Sequence, residues 1–114
     1  MTCKITKADL ISFGTQLFQK AGLNEQDAER VSTILATNDE RGVYSHGTTF
    51  YYGYTRLLRA GGANPTPNIQ VEGNGPFRQV NGDRALGPLA AYEGMKQAIA
   101  AAKQYGIGLV TVKK

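Results

Sequence analysis

The chain has one cysteine, one histidine, no tryptophan and four prolines in 114 residues. Cys3 alone closes no intrachain disulfide, and one Cys with one His does not assemble a zinc set, so no metal centre is expected. No apolar run approaches the ~18 residues that a membrane helix needs, and the N-terminus lacks the apolar stretch of a secretory signal. The expectation is a cytoplasmic protein with no membrane partner. A continuous basic stripe is missing too. The 13 Lys and Arg exceed the 9 Asp and Glu by four, but Asp27, Glu29, Asp39 and Glu40 interrupt them, so no nucleic-acid partner is expected. A dinucleotide fingerprint is also absent: Gly106-x-Gly108 follows a helical pattern and opens a strand, the reverse of the order in which a helix N-terminus receives a phosphate.

What is present is the composition of a folded protein, 41% hydrophobic with six Tyr and four Phe, enough for one modest core. Thr6 with Asp9 three residues on forms a capping pattern, and Leu10, Phe13, Gly14, Leu17 and Ala21 follow at helical spacing. The first helix therefore runs from about Lys7 to Ala21, stopped by Gly22. Asn24 caps a second, with Glu25 and Asp27 in its first turn and Ala28, Val31, Leu35 and Asn38 on one face, ending between Glu40 and Gly42. A third starts with Ser45 as N-cap, which makes His46 its first residue, and runs to Gly61-Gly62.

Residues 63–68, with Pro65 and Pro67, read as a connector between a helical region over residues 1–62 and a second region over 69–114. There Ile69 and Val71 alternate with polar neighbours, Gly73-Asn74-Gly75-Pro76 makes a turn, and Phe77 to Val80 forms a second strand of a short β-ribbon. A long helix spans Ala85 to Tyr105, with Leu86, Leu89, Ala90, Ala98, Ile99 and Ala102 apolar, Pro88 confined to its first turn and Gly106 closing it. Ile107 to Val112 reads as a strand buried on both faces that lacks a sheet to pair with, as if the chain stopped inside a domain. The fold class is α+β.

The only histidine lies in Asn38-Asp39-Glu40-Arg41-Gly42-Val43-Tyr44-Ser45-His46-Gly47. At the start of a helix its imidazole would lie beside unsatisfied backbone N–H groups and the positive end of the helix dipole, a place that suits an anion. Imidazole is the side chain whose ordinary pKa lies nearest neutrality, which fits it for proton transfer to a carbonyl under reduction. Gly47 beside it would let a ligand approach the backbone. On spacing alone, a lone histidine at a helix start is more often a surface or capping residue, and Tyr51 and Tyr54 are more often packing residues than ligands.

The run Arg41-Gly42-Val43-Tyr44-Ser45-His46-Gly47, then Leu57-Leu58 and Gly61-Gly62-Ala63-Asn64-Pro65-x-Pro67, resembles the N-terminal region of the malate/L-lactate dehydrogenase family, which includes ureidoglycolate, sulfolactate and diketogulonate enzymes. Ala101-Ala102-Lys103-Gln104-Tyr105-Gly106-Ile107-Gly108-Leu109-Val110 matches as well. The resemblance implies a cofactor domain that is not a Rossmann fold, of which residues 69–114 are an incomplete start. It implies NADH or NADPH as the hydride source, a small 2-oxo acid or 2-hydroxy acid as substrate, and a homodimer. It also implies that His46 gives the proton to the carbonyl; Ser45 and Gly47 are then expected to shape the substrate pocket, and Tyr51 or Tyr54 to hold the substrate. It assigns no cofactor contact here; most of these, and a further His-containing motif, are expected beyond Lys114. One departure stands out. Family members carry an arginine four residues after the histidine, where it would grip the substrate carboxylate, and this chain has Phe50. Two other readings stay open: a non-catalytic remnant of the family that acts only in dimerisation or binding, and a small helical module for an anionic partner.

Overall fold

The computed structural model describes residues 3–114, which divide into two compact units, residues 3–65 and Thr66–Lys114. The first holds α1 (Lys7–Lys20), α2 (Glu25–Glu40), a single 3-10 turn (Tyr44–His46) and α3 (Thr49–Arg59). Its caps follow from the residues that supply them. Thr6 Oγ1 accepts from the Asp9 N–H at 3.1 Å and Asn24 Oδ1 from the Asp27 N–H at 2.8 Å, each satisfying a donor the first turn leaves unpaired. Gly22 and Gly42 end α1 and α2 at positive φ, where a Cβ would be strained.

The core of this unit is Phe18, Leu23, Ala28, Val31, Leu35, Ala36, Tyr51 and Leu58. One element, α1, differs from the expectation. Phe13 is 59% exposed, and it is Phe18 that α1 buries, because the stripe facing α2 is Gly14 and Phe18. Gly14 is there for space: a Cβ would run into the Ser32 hydroxyl and come within 2.5 Å of the Tyr51 ring. Replacing glycine by alanine inside a helix ordinarily gains up to ~1 kcal/mol. Here crowding reverses the sign, and Gly14→Ala should destabilise the unit by about 1–3 kcal/mol in chemical denaturation.

The second unit holds β1 (Gln70–Glu72), β2 (Phe77–Asn81), α4 (Gly87–Tyr105) and β3 (Leu109–Lys113). The sheet order is β1-β2-β3, with β1 antiparallel to β2 in the register Val71↔Val80 and β3 parallel to β2 in the register Gln79↔Thr111. The architecture is α+β, and β2-α4-β3 is a crossover unit with Val80, Leu86, Leu89, Ala90 and Ala101 buried between helix and sheet. Arg78 donates to Gln97 Oε1 at 2.8 Å, tying β2 to α4. Gly94 lets the helix approach β3, since a Cβ there would come within 2.7 Å of Val112 Cγ2.

Three expectations are corrected here. α4 starts at Gly87 rather than Ala85, because Asp83 and Arg84 both take left-handed backbone, at φ 51° and 60°, and Leu86 is extended. Ala101, not Ala102, meets the sheet, and Ile99 faces out. The last strand is neither unpaired nor buried on both faces: β2 pairs it along one side, it lies at the edge of the sheet, and Leu109 and Val112 are exposed.

Candidate active site

The site is built where α2 hands over to α3. Gly42 breaks α2, and the chain doubles back at once: the Val43 N–H donates to the Asn38 carbonyl at 2.8 Å and the Gly42 N–H to the Asp39 carbonyl at 2.9 Å. The 3-10 turn that follows is fixed by two side chains of α2. Asn38 Nδ2 donates to the His46 carbonyl at 2.8 Å. The Asp39 carboxylate accepts from the Thr48 N–H at 3.1 Å through Oδ1 and from the Thr48 hydroxyl through Oδ2.

This overturns the reading of Ser45 as the N-cap. Ser45 and His46 lie in the 3-10 turn; α3 begins at Thr49, with Thr48 at the cap position. The reason is non-local. Asp39, from the preceding helix, meets the N–H of Thr48, the residue just before α3, and places its negative charge near the positive end of that dipole. The His46 N–H is itself taken by the Val43 carbonyl at 3.2 Å, so an anion-binding helix start beside the imidazole is not what the turn provides. Gly47 is buried, and the close approach it permits is that of Asp39: a Cβ would fall inside the carboxylate.

The turn presents His46 at the surface with Nδ1 3.0 Å from Ser45 Oγ. That contact leaves Nε2 for an outside partner and works in both directions. With Nδ1–H donating to the serine, Nε2 is a bare acceptor in the neutral ring and carries a proton to give in the imidazolium. Along α3 the Phe50 ring lies 6.1 Å from the imidazole and 5.0 Å from the Tyr54 ring, centroid to centroid. Both are half-buried, and burial pushes the Tyr54 hydroxyl above the ordinary tyrosine range.

Tyr51 takes a different place. Its ring packs edge-on to Phe18 at 5.5 Å, and its hydroxyl lies 2.8 Å from Ser32 Oγ and 3.1 Å from the Leu10 carbonyl, inside the helical core. Burial raises its pKa, the Ser32 hydrogen bond opposing and the Asp39 charge adding to the rise. Since the folded value lies above the unfolded one, the contribution to stability is complete below the ordinary tyrosine range and is lost as pH climbs through it. Tyr51→Phe should cost about 1–2 kcal/mol near neutrality, by leaving buried partners unpaired, and should flatten that alkaline loss. Denaturation curves at both pH values check this.

Asn38, Asp39 and Thr48 were not recognisable as site residues from spacing. One signal did exist: α2 ends in Asp39 and Glu40 with no basic residue in its last turn, against the dipole. Glu40 is accounted for by an exposed ion pair with Lys7 at 2.6 Å; Asp39 is accounted for by α3. For a cofactor the described residues offer little. Gly106 is a left-handed helix cap, and a Cβ on Gly108 would strike the Ala98 carbonyl, so backbone conformation accounts for the first glycine and close packing for the second. No cluster of potential metal ligands occurs among the described residues.

Comparison with known proteins places this geometry. Residues 5–114 match the family described as Malate/L-lactate dehydrogenase. Malate dehydrogenase of Pyrococcus horikoshii is 38% identical over 111 residues, 96% of this chain and 31% of its own length. Ureidoglycolate dehydrogenase (NAD(+)) of Escherichia coli strain K12 is 32% identical over 112 residues, 97% of this chain and 32% of its own. The solved structure of the Pyrococcus horikoshii OT3 malate dehydrogenase superimposes with a TM-score of 0.90, covering 96% of this chain and 32% of that one. The chain thus spans about a third of the length of the curated relatives it matches. With the match running through both units and the histidine turn, the chain belongs to the malate/L-lactate dehydrogenase family of oxidoreductases.

Proposed function

We propose that this chain is the N-terminal part of an NADH- or NADPH-dependent oxidoreductase that interconverts small 2-oxo acids and 2-hydroxy acids, and that His46 Nε2 exchanges the proton with the substrate oxygen. The observation that carries the reading is the Ser45–His46 contact at 3.0 Å in a turn that Asn38 and Asp39 lock from α2, within a chain of dehydrogenase family. Reduction adds a hydride at the carbonyl carbon and a proton at its oxygen. The nicotinamide supplies the hydride when bound; this chain's share is the proton.

In reduction the imidazolium, its Nδ1–H donated to Ser45 Oγ, passes the Nε2 proton to the carbonyl oxygen and is left neutral; in oxidation the neutral ring, still donating Nδ1–H to Ser45, takes the hydroxyl proton on Nε2. Ser45 and Tyr54 line the substrate position, and Gly47 acts from beneath by letting Asp39 hold the turn. Tyr51 acts from behind, seating α3 on α1 and α2. The reading includes a cytoplasmic homodimer, which light scattering of the whole protein tests. No helix among the described residues is long and apolar enough to cross a membrane. The direct test is consumption of NADH or NADPH by the whole protein across a panel of small 2-oxo acids. Turnover with at least one member is expected; none with either cofactor overturns the proposal.

A further inference from the structure

We propose that Phe50 makes the substrate position beside His46 selective for a 2-oxo acid bearing an aromatic group, over one bearing a second carboxylate. The inference deepens the function proposed above and rests on His46 marking the reacting carbonyl.

Three faces of α3 carry the argument. Tyr51, Thr55 and Leu58 are buried and form the side that holds the helix in its unit. Tyr52 is exposed, with the Arg56 guanidinium 5.6 Å from its ring centroid. On the third face lie Phe50 and Tyr54, and His46 of the preceding 3-10 turn continues their row, with rings 6.1 and 5.0 Å apart and tilted by 40° and 32°. The row is half-buried at Phe50 and Tyr54 and opens to solvent at the imidazole. It is a shelf of rings that stops at the one residue with proton chemistry.

The shelf has no charge to offer. No Lys, Arg, Asp or Glu occurs between Arg41 and Arg56. Six residues beyond Phe50 at 100° per residue, Arg56 points well away from it, and its guanidinium is engaged over Tyr52. A carboxylate set against Phe50 would lose water and gain no hydrogen bond or countercharge. An aryl group would find ring faces and edges at stacking distance and lose nothing by leaving water. With its carbonyl oxygen at His46 Nε2, an arylpyruvate would lay its ring along Phe50 and Tyr54, whereas oxaloacetate would lay a carboxylate there.

Two measurements test this. The whole protein should reduce phenylpyruvate with a kcat/KM at least ~10-fold above that for oxaloacetate, and Phe50→Arg should shift the ratio toward oxaloacetate by at least ~10-fold. Phe50→Leu, which keeps an apolar side chain of lower demand on the fold, should erase the advantage of phenylpyruvate over pyruvate. A wild-type preference for oxaloacetate, or ratios that neither variant moves, overturns the inference. His46 being the only histidine, its imidazole gives a single set of NMR signals in this chain. At fixed pH they should shift with phenylpyruvate at concentrations where oxaloacetate leaves them unmoved; equal shifts, or none with either acid, count against the aromatic shelf. Absent turnover alongside the selective shift overturns the proposed reaction and leaves the shelf supported. Turnover that favours oxaloacetate does the opposite.

Discussion

Gly47→Ala should be the most damaging small substitution in the N-terminal unit. The added methyl has nowhere to go: its position is inside the Asp39 carboxylate, and Asp39 holds α3 through the Thr48 N–H and hydroxyl. Either the carboxylate withdraws and the Thr48 N–H and hydroxyl lose their acceptor, or the backbone of the 3-10 turn moves. Hydrogen bonds to a charged acceptor are worth about 1.5–3 kcal/mol each on removal of a partner, so a loss of about 2–3 kcal/mol is expected. For a unit of this size that corresponds to a fall in thermal midpoint of ~10 °C or more. The mechanism has its own check. Asp39→Ala removes the group the methyl strikes, so Gly47→Ala added to Asp39→Ala should cost little further. Additive losses would mean that the methyl strikes something else.

His46→Ala should have the largest effect on activity and almost none on stability. The side chain is exposed, and what holds the turn is its backbone: Asn38 donates to the His46 carbonyl and the His46 N–H donates to Val43. Removing the imidazole leaves these in place, so the unfolding midpoint should stay within about 0.5 kcal/mol of the parent. Turnover of the whole protein with its best 2-oxo acid should drop by ~10²–10⁴-fold, the usual contribution of a positioned general acid or base. Ser45→Ala should fall between the two, since it removes the partner that orients Nδ1 and leaves Nε2 in place. A large drop in stability for His46→Ala would mean that the histidine is structural.

How much of this was readable in the residues depended on whether the determining contact was local. Thr6, Asn24, Gly22, Gly42, Pro88 and Gly106 act within a few residues of themselves, and the helices they bound fall where spacing puts them to within one or two positions. Ser45 has every local mark of an N-cap and is not one, because Asp39, nine residues before Thr48, reaches the helix start first. Spacing puts Phe13 on the apolar face of α1, yet Phe18 is the ring that is buried: Gly14 lets α2 come close on the side it shares with Phe18, which only packing reveals. The branched residues of β3 signal a strand, while its parallel pairing with β2 lies a whole helix away in sequence. The histidine run announces the family. What the run does not announce is that Asn38 and Asp39 build the turn, or that Phe50 joins His46 to Tyr54 in one row of rings.

The account turns on a proton leaving His46, and turnover of a variant that cannot supply it measures that most directly. With the whole protein and either nicotinamide cofactor, kcat/KM for a reducible 2-oxo acid should fall by ~10²–10⁴-fold in His46→Gln, whose amide keeps a polar side chain in place and transfers no proton. A His46→Gln protein that turns over at the parental rate would show that the proton comes from elsewhere and would contradict the account.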